Sequence, residues 1–265
     1  MSTALRHLSR VLLLCSLLAL CACAGKRPES PAAPPLAARL AGSGQLVLVL
    51  AKDLSATTGE LRAYDRVDGA WKLADGPLSG PLFVNLGRKG LAWGAGLHGE
   101  NPAGAPVKRE GDGKAPVGLF AIGEGFAYDP AEVGAAKVPL LKADADLLCV
   151  DDVKSAHYNA IVRASQVAKD WDSVEDMRRK DEAYRYGALV RHNMDPAMPG
   201  GGSCIFLHVW LGRGVGSSGC TNMAPEHMLA LLRWLDAGRK PVMALLPEGE
   251  YQRLKVAWGL PEISQ

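Results

Sequence analysis

The sequence predicts an α+β, mainly β fold: mixed β-sheets packed as a sandwich-like domain, with a few helices and a long insertion. Two observations carry this. Thirty glycines and seventeen prolines in 265 residues demand many turns, hence short strands joined by loops. The apolar residues fall in short runs of strand length, and a strong helical repeat recurs only at residues 225–235.

Residues 1–22 read as a secretory signal. Arg6 and Arg10 form a positive start, and the apolar core at 11–20 is too short to span a bilayer. Leu20-Cys21-Ala22-Cys23 resembles a bacterial lipobox, which implies cleavage before Cys23 and lipidation of its sulfur. Ordinary cleavage after Ala24, matching Ala22-x-Ala24, is the alternative. On the first reading the protein is a periplasmic lipoprotein held to the membrane by its N-terminal anchor. Residues 23–43 then form a lipidated, disordered linker, proline-rich at 26–35. A large domain follows at 44–247, with 127–202 as a lid or insertion, and 248–265 as a helical tail.

Within the domain, residues 46–50 (Leu-Val-Leu-Val-Leu) are a strongly apolar strand. Residues 60–67 and 70–74 form a hairpin about Asp68-Gly69. Residues 82–86 and 90–93 continue the β pattern. The polar, glycine-rich loop at 108–118 leads into a strand at 119–122. It lacks the strand–loop–helix setting and the spacing of a phosphate-binding loop. Residues 147–150 read as a strand ending at Asp151-Asp152, whose side chains point to opposite faces and suit a turn or lid. Ser173 and Asp176 stand at capping-box spacing, which predicts a helix over 173–184. Strands follow at 187–191 and 205–210. A helix at 225–235 starts with Pro225, lines up Met228, Leu229, Leu232 and Leu235, and ends at Gly238. A closing strand lies at 242–246.

Charge names no partner. Without Arg6 and Arg10, the basic and acidic residues balance, and no basic stripe suggests nucleic acid. Cysteines are more informative. Cys15 and Cys21 leave with the signal and Cys23 is the lipid site, so Cys149, Cys204 and Cys220 remain. An oxidising compartment favours one disulfide, expected between Cys149 and Cys204, and a free Cys220. Three buried thiols are the alternative.

The chemistry concentrates at 205–222. A strand carrying His208 precedes a glycine-rich loop ending in Ser217-Ser218-Gly219-Cys220-Thr221-Asn222. This arrangement can set a base beside a sulfur nucleophile. Gly219 permits close substrate approach. The N–H groups of Gly219 and Cys220 could face an oxyanion, and the helix starting near Pro225 could stabilise the thiolate. Asn222 can hold the turn, and Arg213 can meet a substrate carboxylate. Taken singly, a histidine on an apolar strand is commonly a hydrogen-bonded core residue and a buried cysteine an inert thiol. Two ligands are too few for a structural zinc site. His98, His157, His192 and His227 have no partner pattern and read as surface or structural residues.

These residues resemble the L,D-transpeptidase catalytic (YkuD) family. His208 matches its first histidine, Ser217 its Ser/Thr, Gly219 its glycine, Cys220 its nucleophile and Asn222 its asparagine. Residues 115–120 (Ala-Pro-Val-Gly-Leu-Phe) resemble its upstream Thr-Pro-x-Gly-x-Phe element. Ser218 departs from the second histidine, Ala115 from threonine, the spacer after His208 is short, and 127–202 is long for the family. The resemblance implies a cell-wall enzyme without cofactor or metal, whose partners are peptidoglycan stem peptides. Cys220 would attack the bond after the third residue of a stem tetrapeptide, releasing D-Ala. His208 would take the thiol proton and pass it to the leaving amine. An amine of a second stem would resolve the thioester. Water in its place would give a carboxypeptidase or endopeptidase. A non-catalytic wall-binding lipoprotein is the reading from another class.

Overall fold

A computed structural model of the chain describes residues 40 and 42–263. The expected signal, Cys23 and nearly all of the linker lie outside the described residues. Leu40 is 1% exposed and packs into the main core, ahead of the expected domain start at 44.

The strands are β1 (Gln45–Ala51), β2 (Thr58–Val67), β3 (Ala70–Leu73), β4 (Leu82–Asn85), β5 (Leu91–Trp93), β6 (Ala115–Ala127), β7 (Leu140–Lys142), β8 (Leu147–Val150), β9 (Ile161–Arg163), β10 (Val174–Asp176), β11 (Tyr186–Val190), β12 (Phe206–Val209), β13 (Thr221–Met223) and β14 (Val242–Pro247). The helices are α1 (Pro130–Val133), α2 (Pro225–Trp234) and α3 (Glu248–Trp258).

The mainly β class is as expected, but the sandwich is not what forms. The large sheet runs β1-β14-β6-β11-β12-β13-β4-β2, and β2 pairs again with β1, closing a barrel-like ring. The reason lies in β1. Its side chains are buried on both faces, and its backbone pairs parallel to β14 and antiparallel to β2. A strand so enclosed reads as a continuous apolar run, which in sequence looks the same in a sandwich and in a barrel. Closure leaves no free edge in that ring. β3 extends outward from β2 through a turn in which Asp68 and Gly69 both have positive φ, as a two-residue hairpin requires.

The thirteen-residue β6 is the spine, pairing with β14, β11, β5 and β7. Its Gly118 has φ +142°, and a Cβ there would lie 2.2 Å from the His98 ring, so only glycine fits. Helix α2 buries Met228, Leu231 and Leu232 against β11, β12 and β13. Helix α3 covers β1 and β14 with Tyr251 and Trp258, and ends on Gly259 in the left-handed conformation.

The 127–202 stretch is not a detached lid. It carries a separate three-stranded sheet, β10-β8-β9. A second hydrophobic cluster joins this sheet to the barrel through Phe126, Met177, Tyr184, Phe206 and Cys220. The expected helix over 173–184 is absent. Its start forms β10, where Val174 pairs with Val150 and Glu175 with Cys149. The capping-box signal at Ser173 yields here to long-range pairing, because β8 needs an outer partner.

Candidate active site

β12 and β13 run parallel, with Leu207 opposite Thr221 and His208 opposite Asn222. Side chains alternate along a strand, so Phe206, His208, Cys220 and Asn222 share one face. That face opens into a cavity of about 180 Å³, lined by Cys220, His208, Tyr184, Glu175, Arg179 and Ser218 among others. The parallel pairing thus brings together two residues separated by an eleven-residue loop.

Cys220 is free and 7% exposed. Its Sγ accepts the Phe206 N–H at 3.3 Å and donates to the Cys204 carbonyl at 3.4 Å. Burial, followed by the nearby Glu175 charge, pushes the thiol up to about 12. None of these contacts comes from the start of α2. In the chain, β13 and Ala224 lie between Cys220 and that helix.

His208 is fixed by two carbonyls. Its Nδ1 lies 2.7 Å from Val209 O and 3.1 Å from Ala183 O. Both oxygens only accept, so Nδ1 carries the hydrogen and the lone pair of the neutral ring sits on Nε2. Burial pulls His208 down to about 4. Both shifts favour the neutral forms, a thiol and an uncharged imidazole, over a thiolate–imidazolium pair.

The turn before Cys220 is closed by Ser217. Its Oγ donates to the Cys220 carbonyl at 2.5 Å and accepts the Gly219 N–H at 3.0 Å. The Gly219 N–H is thus engaged within the turn and does not serve as the expected oxyanion donor. Gly219 has φ +155°, and a Cβ there would lie 3.0 Å from the Lys114 carbonyl. Its role is shape. Ser218 accepts a hydrogen bond from Arg88 Nη1 at 2.6 Å.

Asn222 holds the loop through an intermediary. Its Oδ1 accepts from Asn85 Nδ2 at 2.7 Å. Asn85, fully buried on β4, also donates to Gly212 O and accepts the Gly214 N–H. The pair clamps the loop between His208 and Cys220. Arg213 lies in that loop but outside the cavity lining, its guanidinium 3.8 Å over the Phe83 ring. The arginine lining the cavity is Arg179, chelated by Asp181 at 2.9 and 2.8 Å.

Cys149 and Cys204 form a disulfide, Cα atoms 6.0 Å apart. It ties β8 to the segment whose carbonyl receives the Cys220 S–H. Lys108, 4% exposed, lies near Gly219 and is paired with Asp112 at 2.6 Å. His98 and His192 accept backbone N–H groups and brace buried loops. His157 stacks edge-on with Trp171, and His227 is half-buried on α2.

The profile of the YkuD family, the L,D-transpeptidase catalytic domain, matches residues 79–243, more than half of the chain. The chain belongs to the YkuD family. No curated protein and no solved structure gives a significant match. YkuD enzymes act on peptidoglycan stem peptides. In this YkuD domain the matched span runs from before β4 into β14, and so includes Asn85, the small sheet, His208 and Cys220. Tyr184, Glu175 and Arg179 are the cavity residues that sequence reasoning missed. Their signal was hidden in a segment read as a helix, where nothing indicated proximity to Cys220. Among the described residues, no group of His, Cys, Asp and Glu is arranged to hold a metal ion.

Proposed function

We propose that this chain is a cell-wall L,D-transpeptidase whose Cys220 forms an acyl-thioester with a stem peptide and transfers it to an amine. The observation that supports it most is the shared cavity: Cys220 and His208 face it from adjacent parallel strands, and the only lone pair of the imidazole is on Nε2. In the proposed cycle, Sγ attacks the carbonyl after the third stem residue as Nε2 takes its proton. The same nitrogen then protonates the departing D-Ala amine, leaving the thioester. The Ser217 hydrogen bonds to Cys220 O and Gly219 N–H and the Asn85–Asn222 clamp hold the nucleophile loop rigid during this exchange.

We place the protein in the periplasm, held to the membrane by a lipid on Cys23. The Cys149–Cys204 disulfide supports an oxidising compartment.

The test is product analysis by mass spectrometry on stem tetrapeptides with wild type and Cys220→Ala. A peptide dimer lacking one D-Ala, made only by wild type, is the expected result. A shortened monomer means water resolves the thioester. Identical profiles for the two proteins exclude both reactions and leave a wall-binding role.

A further inference from the structure

The cavity holds a carboxylate that thiol chemistry does not need. Glu175 lines it together with Cys220 and His208. Its position follows from the small sheet. Glu175 is the register partner of Cys149, and directly opposed residues in antiparallel strands project to the same face. Cys149 reaches toward the barrel to meet Cys204, so Glu175 is aimed the same way. The Tyr184 hydroxyl fixes it, donating to Oε2 at 2.5 Å. The Tyr184 ring in turn packs edge-on to His208, centroids 5.1 Å apart.

The charge around Glu175 is only partly offset. Arg179 lines the same cavity and attracts the carboxylate, but its guanidinium is also chelated by Asp181. Asp151, on the same face as Cys149, adds a second carboxylate, with Oδ1 buried and without a hydrogen-bond partner. Burial, and then the Asp151 charge after the Tyr184 hydrogen bond, act on Glu175, and the net effect raises its carboxyl above the ordinary range. A carboxylate so placed beside the nucleophile repels a thiolate, as the upward push on Cys220 shows.

We infer that Glu175, held by Tyr184, receives the protonated amine of the acceptor and takes a proton from it as that amine attacks the Cys220 thioester. This rests on the thioester reading above. An amine of a second stem is an ammonium at neutral pH and cannot attack until it loses a proton. The ammonium gives one proton to Glu175, and the freed lone pair forms the C–N bond at the thioester carbonyl. A second nitrogen proton passes to Nε2 of His208 as the C–S bond breaks. Nε2 returns that proton to Sγ, and Glu175 releases its own to solvent. The two half-reactions thus use different bases: His208 for the thiol and Glu175 for the cationic acceptor. The acceptor class is a primary ammonium, selected by charge.

The test compares two nucleophiles on the purified protein with a stem tetrapeptide donor. One is a primary alkylamine, charged at neutral pH; the other is hydroxylamine, which is uncharged there. The readout is the ratio of the two acyl products. Glu175→Gln is expected to lower the alkylamine-to-hydroxylamine ratio by about tenfold or more, the scale of a charge-assisted contact. Tyr184→Phe, which frees the carboxylate but keeps the ring, is expected to shift the ratio in the same direction. An unchanged ratio in both variants, with acyl products still formed, overturns the role of Glu175 alone. Wild type that forms no acyl product with either nucleophile overturns the thioester reading and this inference together.

Discussion

Replacing His208 by glutamine is expected to slow acylation of Cys220 by about 10²- to 10⁴-fold, the usual range for losing a positioned base. Glutamine can still donate to Val209 O and Ala183 O, but it offers no basic lone pair where Nε2 stands. The rate of adduct formation, followed by intact mass, reads this directly. Rates in the variant within a few-fold of wild type would remove His208 from the chemistry. The pH dependence is equally specific. Because the resting pair is neutral, acylation per folded molecule should stay flat from pH 6 to 8. It should fall only as the pH approaches about 4, where the ring becomes protonated. A limb near pH 7 would instead signal a thiolate–imidazolium pair.

The same proton affects stability, and the sign follows from the depressed value. His208 and His192 both fall from 6.5 to about 4 on folding. The unfolded chain therefore binds their protons first. The stability they contribute is complete above about pH 6.5 and is lost as the pH falls toward 4. At about 1.4 kcal/mol per pH unit, each histidine accounts for roughly 3 kcal/mol across that window.

The Cys149→Ala/Cys204→Ala double variant is expected to lose about 2–4 kcal/mol of stability, typical of a structural disulfide. The bond spans 55 residues and both half-cystines are at most 2% exposed. At about 2–4 °C per kcal/mol for a chain of this size, calorimetry should show a clear drop in Tm. Activity should fall further than stability explains. Cys204 has φ +52°, and its carbonyl receives the Cys220 S–H. The disulfide also carries Glu175 toward the cavity through its pairing with Cys149. A variant with unchanged Tm and unchanged turnover would show that the small sheet docks on its own.

Most parts legible in the sequence are local; the Cys149–Cys204 pairing, read from cysteine count and compartment, is the exception. The apolar run of β1, the Asp68-Gly69 hairpin and the Pro225 start of α2 each follow from neighbouring residues. So does the set His208, Ser217, Gly219, Cys220 and Asn222, which one strand-loop-strand unit brings together. What was hidden depends on long-range register. Ring closure requires β1 to pair with both β2 and β14, and no local pattern encodes that. Ser173–Asp176 carries a helix-start signal, yet β8 claims the segment as β10. That pairing, with the disulfide, brings Glu175 into the cavity with Cys220, where the Tyr184 hydroxyl meets it. Asn85 likewise shows no motif; only the fold reveals it as the partner of Asn222.

The central claim is that Cys220 becomes acylated by a stem peptide. Intact-mass measurement of the purified protein mixed with a stem tetrapeptide tests it most directly. The account predicts a covalent gain equal to the mass of the tetrapeptide less one molecule of free D-Ala, located on Cys220 and absent from Cys220→Ala. No adduct under acylating conditions, or an adduct that persists in Cys220→Ala, would contradict it.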